Sequence, residues 1–165
     1  MFLLVGQSPS RACELVRITI QPEKAENGEL YSGQSQGVRV TLHNYRTTGA
    51  VTAFPEPPLV ITTLKDGRHC EADGGVWARN SIYVSTDGLT LVADEFSGSY
   101  DSLVFRDVRT CAKVNELNVS GAHWIIQGSQ IRWQSASGWK KVSLDAKCRL
   151  HPTPTMPAAP PQSRS

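Results

Sequence analysis

Ser81-Ile82-Tyr83-Val84-Ser85, Thr86-Asp87-Gly88, Leu89-Thr90-Leu91-Val92-Ala93, then Asp94-Glu95-Phe96-Ser97-Gly98-Ser99-Tyr100-Asp101-Ser102, and Leu103-Val104-Phe105-Arg106-Asp107 form one continuous stretch. The first and third segments are β-branched and apolar, and the Asp-Gly pair between them is a tight-turn signal, so together they read as a hairpin. Leu103 to Asp107 reads as a further strand, and Lys113 to Val119 follows it after a turn containing Thr110 and Cys111. The polar stretch Asp94 to Ser102 is read as a loop held at both ends by strands. Small hydroxyl residues around Gly98 allow close backbone approach to a foreign surface, and Tyr100 adds one rigid aromatic with a polar tip. Taken alone, a Ser/Gly loop is an ordinary hairpin connection.

Working outward toward the N-terminus, Asp73-Gly74-Gly75-Val76-Trp77 is a glycine turn that delivers a large aromatic to the core. Ala53-Phe54-Pro55-Glu56-Pro57-Pro58 excludes helix and central strand, because its three prolines remove donors and restrict their neighbours. It reads as an extended connector into the strand Leu59 to Leu64, which turns at Asp66-Gly67 and returns through His69 to Glu71. Glu14 to Ile20 alternates and reads as the first strand, whereas Gln21 to Gln36 shows no periodicity and reads as a loop before the strand Val38 to Leu42. Toward the C-terminus, His123 to Ile126, Gln130 to Gln134 and Trp139 to Leu144 are three more short strands. Strands recurring about every 8 to 12 residues, with turn signals between them, predict an all-β domain. The run from Ile82 to Leu117 resembles one propeller blade, but a closed propeller needs at least about four blades of some forty residues. The expectation is therefore two or three antiparallel blade-like sheets packed together, an incomplete propeller-like arrangement over residues 13–150.

The 165 residues carry a net charge of +2 with both signs interspersed, which argues against nucleic acid or an anionic membrane as partner. Cys13, Cys70, Cys111 and Cys148 are too far apart for a zinc site or a Cys-x-x-Cys redox motif. No metal or cofactor is implied. Two disulfides are the simplest reading; of the three connectivities, Cys13 with Cys70 and Cys111 with Cys148 gives the most local closures. Disulfides place the protein outside the cytoplasm. Residues 1–12 read as the remnant of a leader, with Ser10 to Ala12 like a cleavage region, and residues 151–165 as a disordered Pro-rich tail.

Catalytic readings are weaker. Gly33-Gln34-Ser35-Gln36-Gly37 matches the G-x-S-x-G pattern of hydrolase nucleophile elbows, but a strand follows where that elbow needs a helix. His69 beside Cys70 on a strand points to the opposite face. His43, His123 and His151 fall in no nucleophile and base arrangement. Trp124, Trp133 and Trp139 offer the alternative of a glycan or small-ligand platform.

The landmarks taken together resemble a known family, the periplasmic immunity proteins that neutralise peptidoglycan amidase effectors of the bacterial type VI secretion system. They are Ala53 to Pro58, Asp73 to Trp77, Asp87-Gly88, Glu95-Phe96-Ser97-Gly98-Ser99, Thr110-Cys111, and Ser120-Gly121 with Trp124, in the same order and at similar spacing. The resemblance implies a periplasmic all-β inhibitor with no catalysis of its own. Its partner would be a cognate NlpC/P60 or papain-like cysteine amidase, whose cleft it plugs with the loop Glu95, Phe96, Ser97, Gly98, Ser99, Tyr100 and Asp101. Ser99 matches the serine that approaches the enzyme's catalytic histidine. Tyr100 stands where the family pattern has a second serine.

Overall fold

The computed structural model describes residues 13–23, 30–45, 50–55 and 58–151. The leader expected at 1–12, the tail beyond His151, and Glu56 and Pro57 of the proline run lie outside the described residues. Among those described the chain is all strand and turn, in three antiparallel sheets, with no helix.

The middle sheet is the stretch that decides the fold. Its order is β1 (Leu15–Arg17), β8 (Val76–Ser85), β9 (Thr90–Ser97), β10 (Tyr100–Asp107) and β11 (Lys113–Asn118), and β5 (Ala53–Pro55) also pairs with β8. On one side lies the sheet β2 (Gln21–Pro22), β3 (Leu30–Ser35), β4 (Val38–His43), β6 (Leu59–Thr63) and β7 (His69–Ala72). On the other lies β12 (Trp124–Gln127), β13 (Gln130–Ser135) and β14 (Gly138–Ser143). The layering follows from side-chain alternation in the middle strands. Ile82, Val84, Leu91 and Ala93 pack with Val40, Leu42, Leu59 and Ile61 of the five-stranded sheet. Tyr83, Val92, Leu103 and Phe105 point the other way, toward Ile131 and Trp124 of the three-stranded sheet. A strand that serves two cores must be apolar at every position, which is why Leu91 to Ala93 shows no alternation. Three antiparallel sheets packed together, as the strand spacing predicts, are thus arranged about a shared middle layer.

Two readings of the sequence are corrected. The segment 21–36 is not loop throughout, since β2 and β3 occupy its described ends and β3 pairs with β4 from Leu30 opposite His43 to Ser35 opposite Val38. Its small polar residues hid it, yet Gly33 is there because a Cβ at that position would fall 2.3 Å from the Thr19 carbonyl oxygen. The G-x-S-x-G match is accordingly a hairpin, closed at Gln36 and Gly37 with φ of 49° and 74°.

The expected disulfide pairing is also overturned. Cys13 joins Cys148 and Cys70 joins Cys111, across 135 and 41 residues, with Cα separations of 5.2 and 5.7 Å. Local closure is no guide here, because the sheets bring distant segments together. Cys70 lies in β7 and Cys111 in the turn after β10, so that bond staples the five-stranded sheet to the middle sheet. Cys13 precedes β1 and Cys148 follows β14, so the other ties the middle sheet to the C-terminal segment. Cys111 and Cys148 both take left-handed backbone, φ 58° and 57°, after turns organised by Asp107 and Asp145.

Candidate partner-binding site

Asp94 to Ser102 is not a loop but the end of β9, a two-residue turn and the start of β10. The ladder runs without interruption from Thr90 opposite Asp107 to Ser97 opposite Tyr100. Only Gly98 and Ser99 form the turn, with Gly98 at φ 60° in the first position, where a type II′ hairpin needs a residue free to adopt positive φ. The neighbouring strands stop short of it: β8 pairs with β9 as far as Val76 opposite Phe96, and β11 pairs with β10 as far as Asn118 opposite Ser102. Ser97 to Tyr100 therefore projects past the sheet, and all four residues are exposed.

The polar residues that made this stretch look like loop have partners elsewhere in the fold. Glu95 accepts from Trp77 Nε1 at 2.9 Å and pairs with Arg106 at 2.7 Å; the two charged side chains are only 12% and 8% exposed. Arg106 also donates to the carbonyls of Asp73 and Cys111, at 2.8 and 3.1 Å. The glycine turn before Trp77 completes this network, for a Cβ at Gly74 would lie 2.2 Å from the Glu95 carboxylate. Trp77 is buried as expected. Phe96 is half-buried, and its carbonyl oxygen would lie 2.8 Å from a Cβ at Gly75. Tyr100 donates its hydroxyl to Glu116 at 2.6 Å, and Lys113 donates to the other oxygen of the same carboxylate at 2.7 Å. These two hydrogen bonds hold the Glu116 carboxyl well below the usual range, at about 2. Asp101 is clasped through its backbone, which donates to Ser120 Oγ at 2.9 Å.

At the base of the hairpin, β8 slips in register between Trp77 and Ile82 and bows away from β9. The bulge opens a cleft of about 420 Å³ whose lining includes Arg17, Asn80, Ser81, Asp94, His123 and Trp124. Asp94 is only 8% exposed. Burial, then the hydrogen bond and charge of Asp101, push its carboxyl up to about 7, against a smaller opposing effect of Ser81.

The structure scatters the other candidate residues. Cys70 is in a disulfide and carries no thiol. Ser35 lies in the β3–β4 hairpin, His43 stacks on Tyr45, His69 and His151 are exposed, and His123 packs edge-on to Trp139. The three tryptophans do not share a face. Trp124 and Trp133 are cross-strand partners packed against the second core, while Trp139, opposite Gln134, sits outside with Arg132 stacked on its ring. Arg106, Glu116 and Lys113 escaped the sequence reading, since nothing local marks a charge whose partner lies on another strand.

These features define a disulfide-stapled all-β binding domain that presents one short, well-anchored hairpin. The family model described as "Immune protein Tsi1" matches residues 13–154. A curated relative of the same description, from Pseudomonas aeruginosa strain PAO1, is 33% identical over 137 residues, covering 82% of this chain and 79% of the relative. The chain belongs to the Tsi1 immune protein family and is an immunity protein of the type VI secretion context, the class its ordered landmarks resemble.

Proposed function

We propose that the protein acts in the periplasm, where it binds a secreted cysteine amidase of peptidoglycan and occludes its Cys-His cleft with the Gly98-Ser99 tip. The observation that carries this reading is the projecting, four-residue exposed end of a hairpin whose stem is held by the Glu95 to Arg106 ion pair. Cysteine hydrolases work through a thiolate and an imidazole at the bottom of a groove. A serine hydroxyl exchanges a hydrogen bond with that imidazole, and the tightly turned backbone behind it offers no scissile bond in the attacked geometry. The site is filled without turnover.

Glu95 and Asp101 then act mainly as the stem, with Gly98 and Ser99 entering the cleft and Ser97 and Tyr100 flanking them at its rim. Protection from a lethal enzyme needs nanomolar affinity or better, about 12 kcal/mol. Four residues are too few for that, so neighbouring turns complete an interface of about 800 Å² per partner. Two disulfides suit the oxidising periplasm.

The test is titration of the protein into peptidoglycan digestion by a type VI secreted cysteine amidase from the same organism, with calorimetry alongside. Stoichiometric inhibition is expected. Ser99→Arg should weaken it by about a hundredfold or more while leaving thermal stability unchanged, because the tip makes no core contacts. Full inhibition by Ser99→Arg would show that the tip is not the plug.

A further inference from the structure

Tyr100 flanks the tip, and its exposed ring invites the reading that it enters the partner's cleft beside Ser99. The contacts place it differently. On β10, Tyr100, Ser102 and Val104 share one face, and the ladder sets Glu116 opposite Val104, four residues back from Tyr100. To reach Glu116 at 2.6 Å the phenol must run back along the strand over Ser102, away from the turn. Ser102 beneath it is 1% exposed. Lys113 fixes the far side of the Glu116 carboxylate at 2.7 Å, so the acceptor is itself held in place.

We infer that Tyr100, Glu116 and Lys113 form a brace that sets the pitch of the Gly98-Ser99 tip, which makes Tyr100 a positioning residue and leaves the two turn residues as the inserted part. Two strands projecting past their neighbours have ladder bonds only to each other, and such a ribbon twists and flexes more than a sheet. The brace ties Tyr100, at the β10 end of the ribbon, back to Glu116 inside the regular ladder of β11, and adds to the bonds that the Asp101 backbone makes with Val119 and Ser120. Glu116 stays ionised throughout the neutral and mildly acid range, so the brace does not come and go with pH there. An ordered tip loses less conformational freedom on insertion, which strengthens binding without adding a contact.

This inference rests on the proposed function for its consequence but not for its existence, and the test separates the two. Backbone ¹⁵N relaxation on the free protein would read the order of Gly98 and Ser99 in the natural chain, Tyr100→Phe, Glu116→Ala and the double variant, since alanine leaves the Tyr100 hydroxyl no acceptor. The brace predicts order parameters near about 0.85 in the natural chain, falling toward about 0.6 in either single variant. It also predicts no further fall in the double variant, because either change alone removes the same link. The melting temperature of Tyr100→Phe should stay close to that of the natural chain, since the ring is nearly half exposed, whereas a change at Glu116, whose side chain is 27% exposed and paired with Lys113, should lower it slightly. Amidase inhibition by Tyr100→Phe should weaken roughly three- to tenfold, from the tip's lost order and not from lost ring area. Unaltered order at Gly98 and Ser99 in both single variants would overturn the brace, even with Ser99→Arg inactive. Lowered order with Ser99→Arg still fully inhibitory would keep the brace and remove the plug.

Discussion

Glu95 shows how the surroundings of a residue bear on the duty that a resemblance assigns to it. The resemblance groups it with the inserted loop, yet its carboxylate is buried between Arg106 and Trp77 and has little surface left for a partner. On the proposed function its effect on binding is therefore indirect, through the pitch of β9. Removing one member of a buried ion pair strands the other, so Glu95→Ala should lower unfolding stability by about 3 kcal/mol, measured by urea denaturation. Ser99→Arg, on the exposed tip, should leave the same curve in place. If Glu95→Ala is as stable as the natural chain and fails only in inhibition, the carboxylate belongs to the interface after all.

The hairpin stem carries a second buried acidic feature, where the β8 bulge leaves Asp94 beside Asp101. The Asp94 carboxyl is raised from 3.8 to about 7, so the folded protein binds a proton more tightly than the unfolded chain does. Stability is therefore greatest when that proton is bound and falls as pH rises from about 4 through about 7. Arg17, Ser81 and His123 line the same cleft, and the Ser81 hydrogen bond opposes the effect without removing it. The protein should melt a few degrees higher at pH 5 than at pH 8, at about 2–4 °C per kcal/mol for a chain of this size. Asp94→Asn should flatten that slope and raise the melting temperature at pH 8. An unchanged slope in the variant would place the pH dependence elsewhere. The sequence reading put a loop here because polar residues without alternation are the signature of one. Asp94 sits beside Asp101, Glu95 is satisfied by Arg106, and Tyr100 by Glu116; each partner is on another strand or farther along the same hairpin.

Across the molecule, the two disulfides differ in what they hold. The bond between Cys13 and Cys148 closes 135 residues and that between Cys70 and Cys111 closes 41, so chain entropy assigns them about 5 and about 4 kcal/mol. Replacing Cys13 and Cys148 by Ser should be the more destabilising change in denaturant titrations. Replacing Cys70 and Cys111 should loosen the five-stranded sheet from the middle sheet and expose amides of β6 and β7 to hydrogen exchange first. The reverse order of stability would mean that strain or residual structure in the unfolded chain outweighs loop length. Both replacements should leave the tip sequence intact but reduce protection in an oxidising compartment.

The all-β class, nearly every strand from Leu59 onward, the Asp87-Gly88 turn and buried Trp77 were all written in local pattern: alternation, turn chemistry and spacing. These depend on neighbours in the chain. Which cysteines pair, that the middle sheet serves two cores, that β3 exists despite its glycine and polar residues, and that the supposed loop is a braced hairpin were decided only by the tertiary structure. Each depends on contacts between residues far apart in sequence: a Cβ that would strike the Thr19 carbonyl, an arginine that reaches Glu95 from β10, a glutamate on β11 that holds the Tyr100 phenol. Local pattern states what a segment prefers; only the assembled sheets supply the partners that let polar residues stay buried and ordered.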